Sequence, residues 1–394
     1  MINLAKESQC TGCMVCMDTC SRSAIECITK SDGHYYPQIR KDKCVECGLC
    51  VKTCPVINPL RTENSNRPIT YAAWSDVNNY RDNSTSGGVF PTIAFHIIKQ
   101  GGYAIGATIE DSKAKHIAIN DTADIPRLQG SKYQQSDASG IYKRCEQLLK
   151  DGYQIVFSGT PCQVAGLYAY LKRDYDNLIT IDVICAGVPS RLVIDKYKLQ
   201  QPKSQIISYR DKVNGWRNGL NLTTREDDQI LRESKDGHIL GLAIAGHQTD
   251  RYSCYDCQFA KIDRCADITI GDFWGGDKLY PDQKEKGLSV AIVRTKKGDD
   301  ILKASGTNTQ TTDILYVINK NPRIAFGKSL TGKHRFERRF LCRLISIMPY
   351  NLYSALYAGV YRSILHIPIK IYRYLLWKLD LKHTRTKVEN ICKK

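Results

Sequence analysis

"CVECGLCVKTCP" (residues 44–55) carries four cysteines spaced C-x2-C-x2-C-x3-C and closed by a proline. This spacing is typical of bacterial ferredoxins, where it holds 4Fe-4S clusters. A nearly matching run, "CTGCMVCMDTC", occupies residues 10–20, with Ser21 where the other run has its proline. Zinc sites also use thiolates, but zinc ribbons rarely repeat this three-plus-one spacing. The two runs therefore predict two 4Fe-4S clusters.

Each cluster is expected to draw ligands from both runs, because the fourth cysteine of each run ligates the other cluster in two-cluster ferredoxins. The predicted ligands are Cys10, Cys13, Cys16 and Cys54 for one cluster, and Cys44, Cys47, Cys50 and Cys20 for the other. Residues 1–57 are thus predicted to form an α+β ferredoxin module of the bacterial type. The polar, proline-bounded stretch 58–68 is predicted to be a linker.

The chain is much longer than a ferredoxin: it has 394 residues, a formal net charge of +17, and ordinary hydrophobic (42%) and charged (25%) contents. Such a length predicts at least one further domain. Seventeen cysteines would suit disulfides in a secreted protein. The opening residues "MINLAKESQC" lack the basic start and apolar core of a secretion signal, so we expect a reducing, cytoplasmic location.

Strand and helix patterns alternate through the centre of the chain. "ITYAAWS" (69–75) indicates a strand, and "STSGGVFPTIAFHIIKQGG" (84–102) indicates a turn followed by a helix that ends at two glycines. "YQIVFSGTPCQVAGLYAYLK" (153–172) indicates a buried strand, a turn and a helix. Alternation of this kind predicts an α/β body, which we assign to residues 69–326.

Four cysteines of this body stand at positions that a fold can bring together. Cys162 follows one predicted strand, Cys185 ends the next, and "CYDC" supplies Cys254 and Cys257. Consecutive strands of a sheet can place such ends side by side. From spacing alone, a third metal centre and a set of buried free thiols with a chance C-x2-C pair are equally good interpretations. Cys265 is a spare ligand candidate, whereas the remaining cysteines look incidental: Cys27 is predicted to be buried, and Cys145 to lie on the polar side of a helix.

A turn before the first predicted body helix could hold a phosphate group. Ser86, Gly87 and Gly88 precede the helix, where free backbone N–H groups and the helix dipole favour an anion. A glycine pair before a helix is more often a plain turn, so this alternative stays open.

Seven motifs then occur in an order that resembles the coenzyme F420 hydrogenase/dehydrogenase beta-subunit family, with a two-cluster ferredoxin fused in front. The motifs are "STSGGV" (84–89), "GSKYQQS" (130–136), "FSGTPCQVAGL" (157–167), "DVICAGVPS" (182–190), "YRDKVNGW" (209–216), "CYDCQFAKIDRCADITIGDFWG" (254–275) and "KGLSVAIVRTKKG" (286–298).

The resemblance implies a flavoprotein. FAD would lie near the Ser86–Gly88 turn and the "GSKYQQS" segment, where Lys132 could pair with the pyrophosphate and Gln135 and Ser136 could bond the ring or ribityl chain. The resemblance also implies a third 4Fe-4S cluster, with its ligands at Cys162, Cys185, Cys254 and Cys257. In "GDFWG", Asp272 and Trp274 are equally well interpreted as packing residues or as substrate contacts.

The leading functional hypothesis is an iron–sulfur flavoprotein oxidoreductase. A flavin converts between one-electron clusters and a two-electron substrate. The expected partners are a ferredoxin or partner subunit and a small molecule, either a deazaflavin or a metabolite of a surface-polysaccharide pathway. No catalytic acid or base is identifiable. The alternatives are an electron-transfer subunit of a larger complex and a metal-bearing interaction protein in polysaccharide biosynthesis.

Residues 327–394 are predicted to form a basic amphipathic helical tail. Residues 331–394 contain fourteen Lys or Arg and three acidic residues, which gives +11 of the +17 charge. Mixed aromatic, aliphatic and basic composition suits a helix lying peripherally on the cytoplasmic face of a membrane. A helical pair packed on the body is the alternative. Nucleic-acid binding is a weaker use of the same charge, since no recognised module accompanies it.

Overall fold

The N-terminal module is built from two similar halves, one for each cysteine run. The computed structural model describes residues 2–60, 68–77, 79–213, 215–216, 221–234, 247, 249–321, 323–326, 335–349 and 352. Each cysteine run leads into a short helix, α1 (Val15–Thr19) or α2 (Leu49–Lys52). Between them, β1 (Ile25–Thr29) pairs antiparallel with β2 (Tyr35–Ile39). Most of the predicted linker, residues 61–67, lies outside the described residues.

The body alternates strands and helices as the sequence predicts. Its strands are β3 (Ile69–Trp74), β4 (Tyr103–Glu110), β5 (Lys113–Ile119), β6 (Ile155–Gly159), β7 (Leu178–Val183), β8 (Gln205–Ser208), β9 (Asn221–Glu226), β10 (Gln229–Ser234), β11 (Ile268–Asp272), β12 (Ser289–Val293) and β13 (Asn308–Thr311). Its helices are α3 (Val89–Lys99), α4 (Ile125–Leu128), α5 (Ile141–Lys150), α6 (Pro161–Leu171), α7 (Arg191–Gln200), α8 (Lys296–Ala304), α9 (Ile314–Lys320) and α10 (Arg323–Phe326).

Eight of these strands form one mixed sheet in the order β13-β3-β12-β11-β7-β6-β4-β5. The centre, β11-β7-β6-β4, is parallel, whereas the strands on either side pair antiparallel. A separate three-stranded antiparallel sheet has the order β10-β9-β8. The body is therefore a mixed α/β structure, and its parallel centre is the part that the alternating pattern predicts.

Helices cover both faces of the large sheet, because its central strands are apolar on both sides. Along β6, Val156 joins the core cluster beneath α3 and α8, while Ile155 and Phe157 join the cluster beneath α5 and α6. Cys13 and Val15 of the first cysteine run also belong to the second cluster. The ferredoxin module thus shares a hydrophobic core with the body.

Two cysteines without a predicted ligand role, Cys145 and Cys27, lie in environments other than the predicted ones. Cys145 is fully buried against the sheet, because it follows Tyr142 by three residues, nearly one helical turn, and so shares its apolar face of α5. Cys27 is exposed, because β1 belongs to a two-stranded ribbon and only Ile25 of its five residues is buried.

Part of the predicted C-terminal tail is described as helix α11 (Arg335–Ile347). Ile345 packs in a core cluster with residues of α7 and of the small sheet, such as Val193 and Leu222. Residues 327–334, 350, 351 and 353–394 lie outside the described residues, and so does most of the predicted amphipathic stretch. Across the described ranges, no helix combines the length and the apolar character that a membrane crossing requires.

Candidate iron–sulfur and flavin site

The first group of thiols, which we name the inner site, consists of Cys10, Cys13, Cys16 and Cys54. The three from the first run are each less than one tenth exposed. Burial raises the pKa of Cys13 to about 12, and the thiols of Cys10 and Cys54 add to the rise. Burial also raises the pKa of Cys16, with contributions from Cys13, Cys10 and Cys54. The structure therefore brings these four predicted ligands together.

The second group, the outer site, consists of Cys20, Cys44, Cys47 and Cys50. All four line one small cavity, whose remaining wall is mostly apolar. Cys47 is exposed, and Cys20 and Cys44 are partly exposed. The outer site therefore lies at the protein surface, and its four members are those that the crossed pairing of the two runs predicts.

No three His, Cys, Asp or Glu side chains within the described ranges are arranged to hold a single metal ion. A zinc ion with four thiolates needs sulfurs about 3.8 Å apart, because each Zn–S bond is about 2.3 Å long. A 4Fe-4S cluster spreads its cysteines over four iron atoms. The inner and the outer group each supply the four thiols that such a cluster takes.

The third group, the body site, consists of Cys162, Cys185, Cys254 and Cys257. β6 and β7 are parallel neighbours, so the residues after them lie at one edge of the sheet. A capping box starts α6: Thr160 N–H donates to Gln163 Oε1 at 3.0 Å, which places Cys162 in the first helical turn. Cys254 lies in a short 3₁₀ turn, Tyr252–Asp256, and Cys257 follows it.

Burial raises the thiol pKa values of Cys162, Cys254 and Cys257 in the body site. For Cys162, the thiols of Cys257 and Cys185 add to the effect of burial, and for Cys254 those of Cys185, Cys257 and Cys162 do so. Thiolates grouped in this way repel one another, so the thiols remain protonated unless a cationic centre stabilises their charge, as bound iron would. The donor set therefore fits a cluster. The spare candidate Cys265 packs against the core cluster beneath α5 and α6.

The inner site adjoins each of the other two, an order that we name the line of sites: Cys16 and Cys50 share a core cluster, and Cys13 lies beside α6. Cys50 of the outer site contributes to the pKa of Cys16 in the inner site, and Cys13 of the inner site contributes to the pKa of Cys162 in the body site. Close packing accompanies the second link: a Cβ atom on Gly166 of α6 would lie 3.5 Å from Cys13 Cβ. The inner site thus lies between the other two.

Several body residues hold the first cysteine run, and sequence reasoning missed them. Tyr142 Oη donates to the Cys13 carbonyl at 2.6 Å, and Arg251 Nε donates to the Cys10 carbonyl at 2.6 Å. Gln135 Nε2 donates to the Gly12 carbonyl at 2.7 Å. Gly12 has φ +68°, and a Cβ there would come within 2.1 Å of the Gln135 amide, so only glycine fits. None of these partners is close in sequence, so no local motif reveals them.

The two segments predicted to bind flavin meet in space. Thr85 Oγ1 lies 3.4 Å from Ser131 Oγ, and Gln129 Nε2 donates to Ser84 Oγ at 3.1 Å. The turn itself is tied to the sheet, however. Ser86 Oγ donates to the Leu288 carbonyl at 2.9 Å, and Gly87 N–H donates to Ser289 Oγ at 2.8 Å.

This attachment of the turn to the sheet explains why residue 87 is a glycine. A Cβ on Gly87 would lie 2.3 Å from the Ala73 carbonyl, so this glycine permits close packing of the turn on β3. Gly88 has φ +78° and immediately precedes α3. The plain-turn interpretation therefore explains Gly87. The backbone N–H groups at the start of α3, after Gly88, are the part of the turn that could bind an anion.

Lys132 has the environment that an anionic ligand requires. Its ammonium is buried and donates to the carbonyls of Gln129 at 2.6 Å and Gly130 at 3.0 Å. Burial lowers its pKa to about 7, and no acidic group of the described chain offsets this shift. A pyrophosphate beside Lys132 would supply the missing negative charge, so this residue fits the predicted flavin.

Gln135 and Ser136 are already engaged by protein partners. Besides Gly12, Gln135 accepts from Arg251 Nη1 at 2.8 Å, and Ser136 Oγ lies 2.7 Å from His116 Nδ1. Burial lowers the pKa of His116 to about 4. Both predicted flavin contacts thus bond to other protein groups, and their role toward a flavin stays a prediction.

A polar and aromatic cluster borders the Ser86 turn on its other side. Arg210 Nη1 pairs with Asp272 Oδ2 at 2.5 Å, and its guanidinium lies 5.5 Å from the ring centre of Trp274. Lys212 Nζ donates to the Ser86 carbonyl at 2.8 Å. Trp274 stacks on Trp216 with ring centres 5.5 Å apart and remains 38% exposed. Asp272 is therefore a structural ion-pair partner, whereas Trp274 stays accessible.

Two family models match the chain. Residues 4–61 match "4Fe-4S dicluster domain", and residues 152–313 match the model for the C terminus of the "Coenzyme F420 hydrogenase/dehydrogenase, beta subunit". The family resemblance is confirmed. The chain is an iron–sulfur protein related to these beta subunits, and the second match includes all four cysteines of the body site.

Among solved structures, the chain is similar to one in "Xenon derivatization of the F420-reducing [NiFe] hydrogenase complex from Methanosarcina barkeri". The two are 16% identical with a TM-score of 0.44, over 67% of this chain and 93% of that chain. No curated protein matches the chain.

Proposed function

We propose that the chain is an iron–sulfur flavoprotein oxidoreductase that transfers electrons between a protein partner and a small two-electron substrate. The observation that carries this proposal is the line of the outer, inner and body sites, which runs from an exposed cysteine into the α/β body. Clusters bound there would supply one-electron carriers, and FAD would supply conversion to two-electron chemistry.

The outer site is the proposed point of contact with the electron donor or acceptor, a ferredoxin or partner subunit. Cys47 is exposed, and apolar Val45 (62% exposed) and Leu49 (37% exposed) lie beside it. Exposed apolar side chains around a redox site suit a transient protein partner. Free thiolates at all three sites require a reducing compartment, which favours the cytoplasm.

At the other end of the line, residues around the Ser86 turn would bind the flavin and the substrate. Lys132 would neutralise the pyrophosphate, and the start of α3 after Gly88 would add N–H donors. Accessible Trp274 would offer a flat face to an aromatic substrate, with Arg210 beside it. A deazaflavin has such a ring system; a pathway metabolite remains the alternative substrate.

Anaerobic purification with iron, sulfide and released-flavin analysis tests the proposal. Three clusters predict about twelve irons and one FAD per chain. Cys162→Ser is expected to lose about four irons, whereas the control Cys265→Ser keeps them. Lys132→Gln is expected to lose FAD, while Lys143→Gln, an exposed lysine, retains it. About eight irons without flavin would overturn the oxidoreductase assignment.

A second candidate function is an electron-transfer subunit with no substrate site of its own. It is favoured by the internal hydrogen bonds of Ser86, Gln135 and Ser136, which leave fewer groups for a flavin. Reduction of a small acceptor by the purified chain alone separates the two: turnover supports the oxidoreductase, and turnover only after a partner protein is added supports the subunit.

A further inference from the structure

Arg251 is a fully buried cation that faces the inner site. None of its surface is exposed, and its guanidinium lies 4.2 Å from the ring centre of Tyr36. Nε donates to the Cys10 carbonyl at 2.6 Å, and Nη1 donates to the Tyr35 carbonyl and to Gln135 Oε1, both at 2.8 Å. Every group in this set is neutral.

The guanidinium has no carboxylate partner among the residues that the structure describes. The nearby acid Asp32 is engaged elsewhere, because it accepts from Arg338 Nη2 at 2.6 Å and from Tyr36 Oη at 3.0 Å. Burying a charge without a counter-ion is strongly unfavourable. Such an arrangement persists where another negative group compensates the charge.

The nearest group that can become negative is a predicted cluster ligand. Arg251 Nη2 donates to Cys10 Sγ at 3.5 Å, within the 4.0 Å reach of a sulfur hydrogen bond. The three shorter hydrogen bonds hold the guanidinium in place, so this contact does not depend on a mobile side chain. At the outer site, Ala24 N–H donates to Cys20 Sγ at 3.3 Å, and the cation that lines the cavity, Arg22, is exposed to solvent.

We propose that Arg251 raises the reduction potential of a cluster in the inner site. The inference rests on the proposed function, because it needs a cluster held by Cys10. Adding an electron makes a cluster more negative, and a fixed cation beside a ligand sulfur stabilises that reduced form. Arg251 acts through Cys10 and is therefore a positioning residue. Its charge favours electron transfer into the inner site.

The test is anaerobic redox titration followed by electron paramagnetic resonance, with the inner and outer signals assigned using Cys47→Ser. Arg251→Met removes the charge and keeps most of the volume. It is expected to lower the reduced-to-oxidised ratio of the inner cluster about tenfold at a given potential, which corresponds to about 59 mV for one electron. The outer signal should not move.

Arg338→Met is the matched control. Arg338 is also buried at the contact between module and body, but its hydrogen bonds go to Asp32 and the Asp250 carbonyl. It should destabilise the contact and leave the inner potential unchanged. Equal shifts in both variants, or equal shifts of the inner and outer signals, would overturn the inference.

Arg251→Lys covers the case in which the Met variant does not fold. It keeps the charge but cannot reproduce the forked contacts, so a smaller shift, about two- to fivefold and confined to the inner signal, is expected. A tenfold shift in this variant, which keeps the charge, would overturn the inference. Iron content separates the two failures: too little iron in the unaltered chain overturns the proposed function, and full iron with unchanged potentials overturns only the role of Arg251.

Discussion

The two cysteine runs have almost the same spacing and opposite surroundings. In the first run, Cys13 belongs to the core beneath α5 and α6, and body residues hold the carbonyls of Cys10, Gly12 and Cys13. In the second run, Cys47 is exposed beside exposed Val45. The equal spacing of the cysteines therefore decides what each run can bind. The contacts with the body decide which of the two sites lies next to the interior of the protein.

The largest expected effect comes from removing one ligand on each side of this comparison. Cys13→Ser and Cys47→Ser should each lose about four irons, but Cys13→Ser should also lower the unfolding temperature markedly. It places a hydroxyl in a shared core and removes a cluster on which local folding depends. Iron analysis and circular dichroism check this; equal unfolding temperatures for the two variants would contradict it.

Acid should loosen the module from the body through His34. This buried side chain lies 3.2 Å from the Thr249 carbonyl, facing Asp32, Arg251 and Arg338. Burial, helped by the two arginines, lowers its pKa to about 3, against an upward effect of Asp32.

The sign of the pH effect follows from that shift. The unfolded chain binds the proton at about pH 6.5 and the folded chain does not, so stability is full above pH 6.5 and falls as the pH drops towards 3, by up to about 1.4 kcal/mol per pH unit. Unfolding temperatures measured between pH 7 and 5 should fall less steeply for His34→Gln than for the control His96→Gln. An identical pH dependence of the unfolding temperature in the two variants would show that protonation of His34 does not weaken the contact between module and body.

Removing one buried hydrogen bond to the first run gives a smaller effect. Tyr142→Phe leaves the Cys13 carbonyl without its 2.6 Å partner and should cost about 1–3 kcal/mol in the free energy of unfolding. Tyr170→Phe is the control, because that hydroxyl makes no hydrogen bond within the described residues. Urea unfolding under anaerobic conditions measures the free energy of unfolding of both variants. If Tyr142→Phe loses as little free energy as the control, the hydrogen bond to the Cys13 carbonyl does not stabilise the protein.

The smallest effect concerns a helix cap that crosses from module to body. Asp18 accepts from the N–H groups of Gly140 at 2.5 Å, Tyr142 at 3.0 Å and Lys143 at 3.2 Å, at the start of α5. Asp18→Ala should cost about 1 kcal/mol. Asp137→Ala, which loses bonds only to Ser139, should cost less, and the reverse order in urea unfolding would count against the cap.

Local patterns predicted much of the fold. Apolar runs and glycine-terminated helices placed β3, α3, β6 and α6 close to their observed bounds, because short-range hydrophobic order and turn chemistry decide such elements. The side of α5 that Cys145 occupies was predicted wrongly. Cys145 lies three residues after Tyr142 and shares its apolar face of α5, which packs in the core with Cys13 and Val15 of the first cysteine run.

The candidate site divides in the same way. The metal-ligand sets are predictions that spacing and resemblance supplied, and the structure groups those thiols as expected. Ser86, Gln135 and Ser136 were assigned to a flavin from motif position, but their hydrogen-bond partners lie on remote segments. A polar side chain has several donors and acceptors, and neighbours that are distant in sequence decide which of them are available to a ligand.

The sequence by itself determined the kind of chemistry: two cysteine runs with ligand spacing, a C-x2-C pair, and an α/β body related to coenzyme F420 hydrogenase and dehydrogenase beta subunits. Only the tertiary structure decided that one run is buried and the other exposed, and that Arg251 lies beside Cys10, 241 residues away. Spacing is local along the chain, whereas burial and electrostatic environment arise from packing between distant segments.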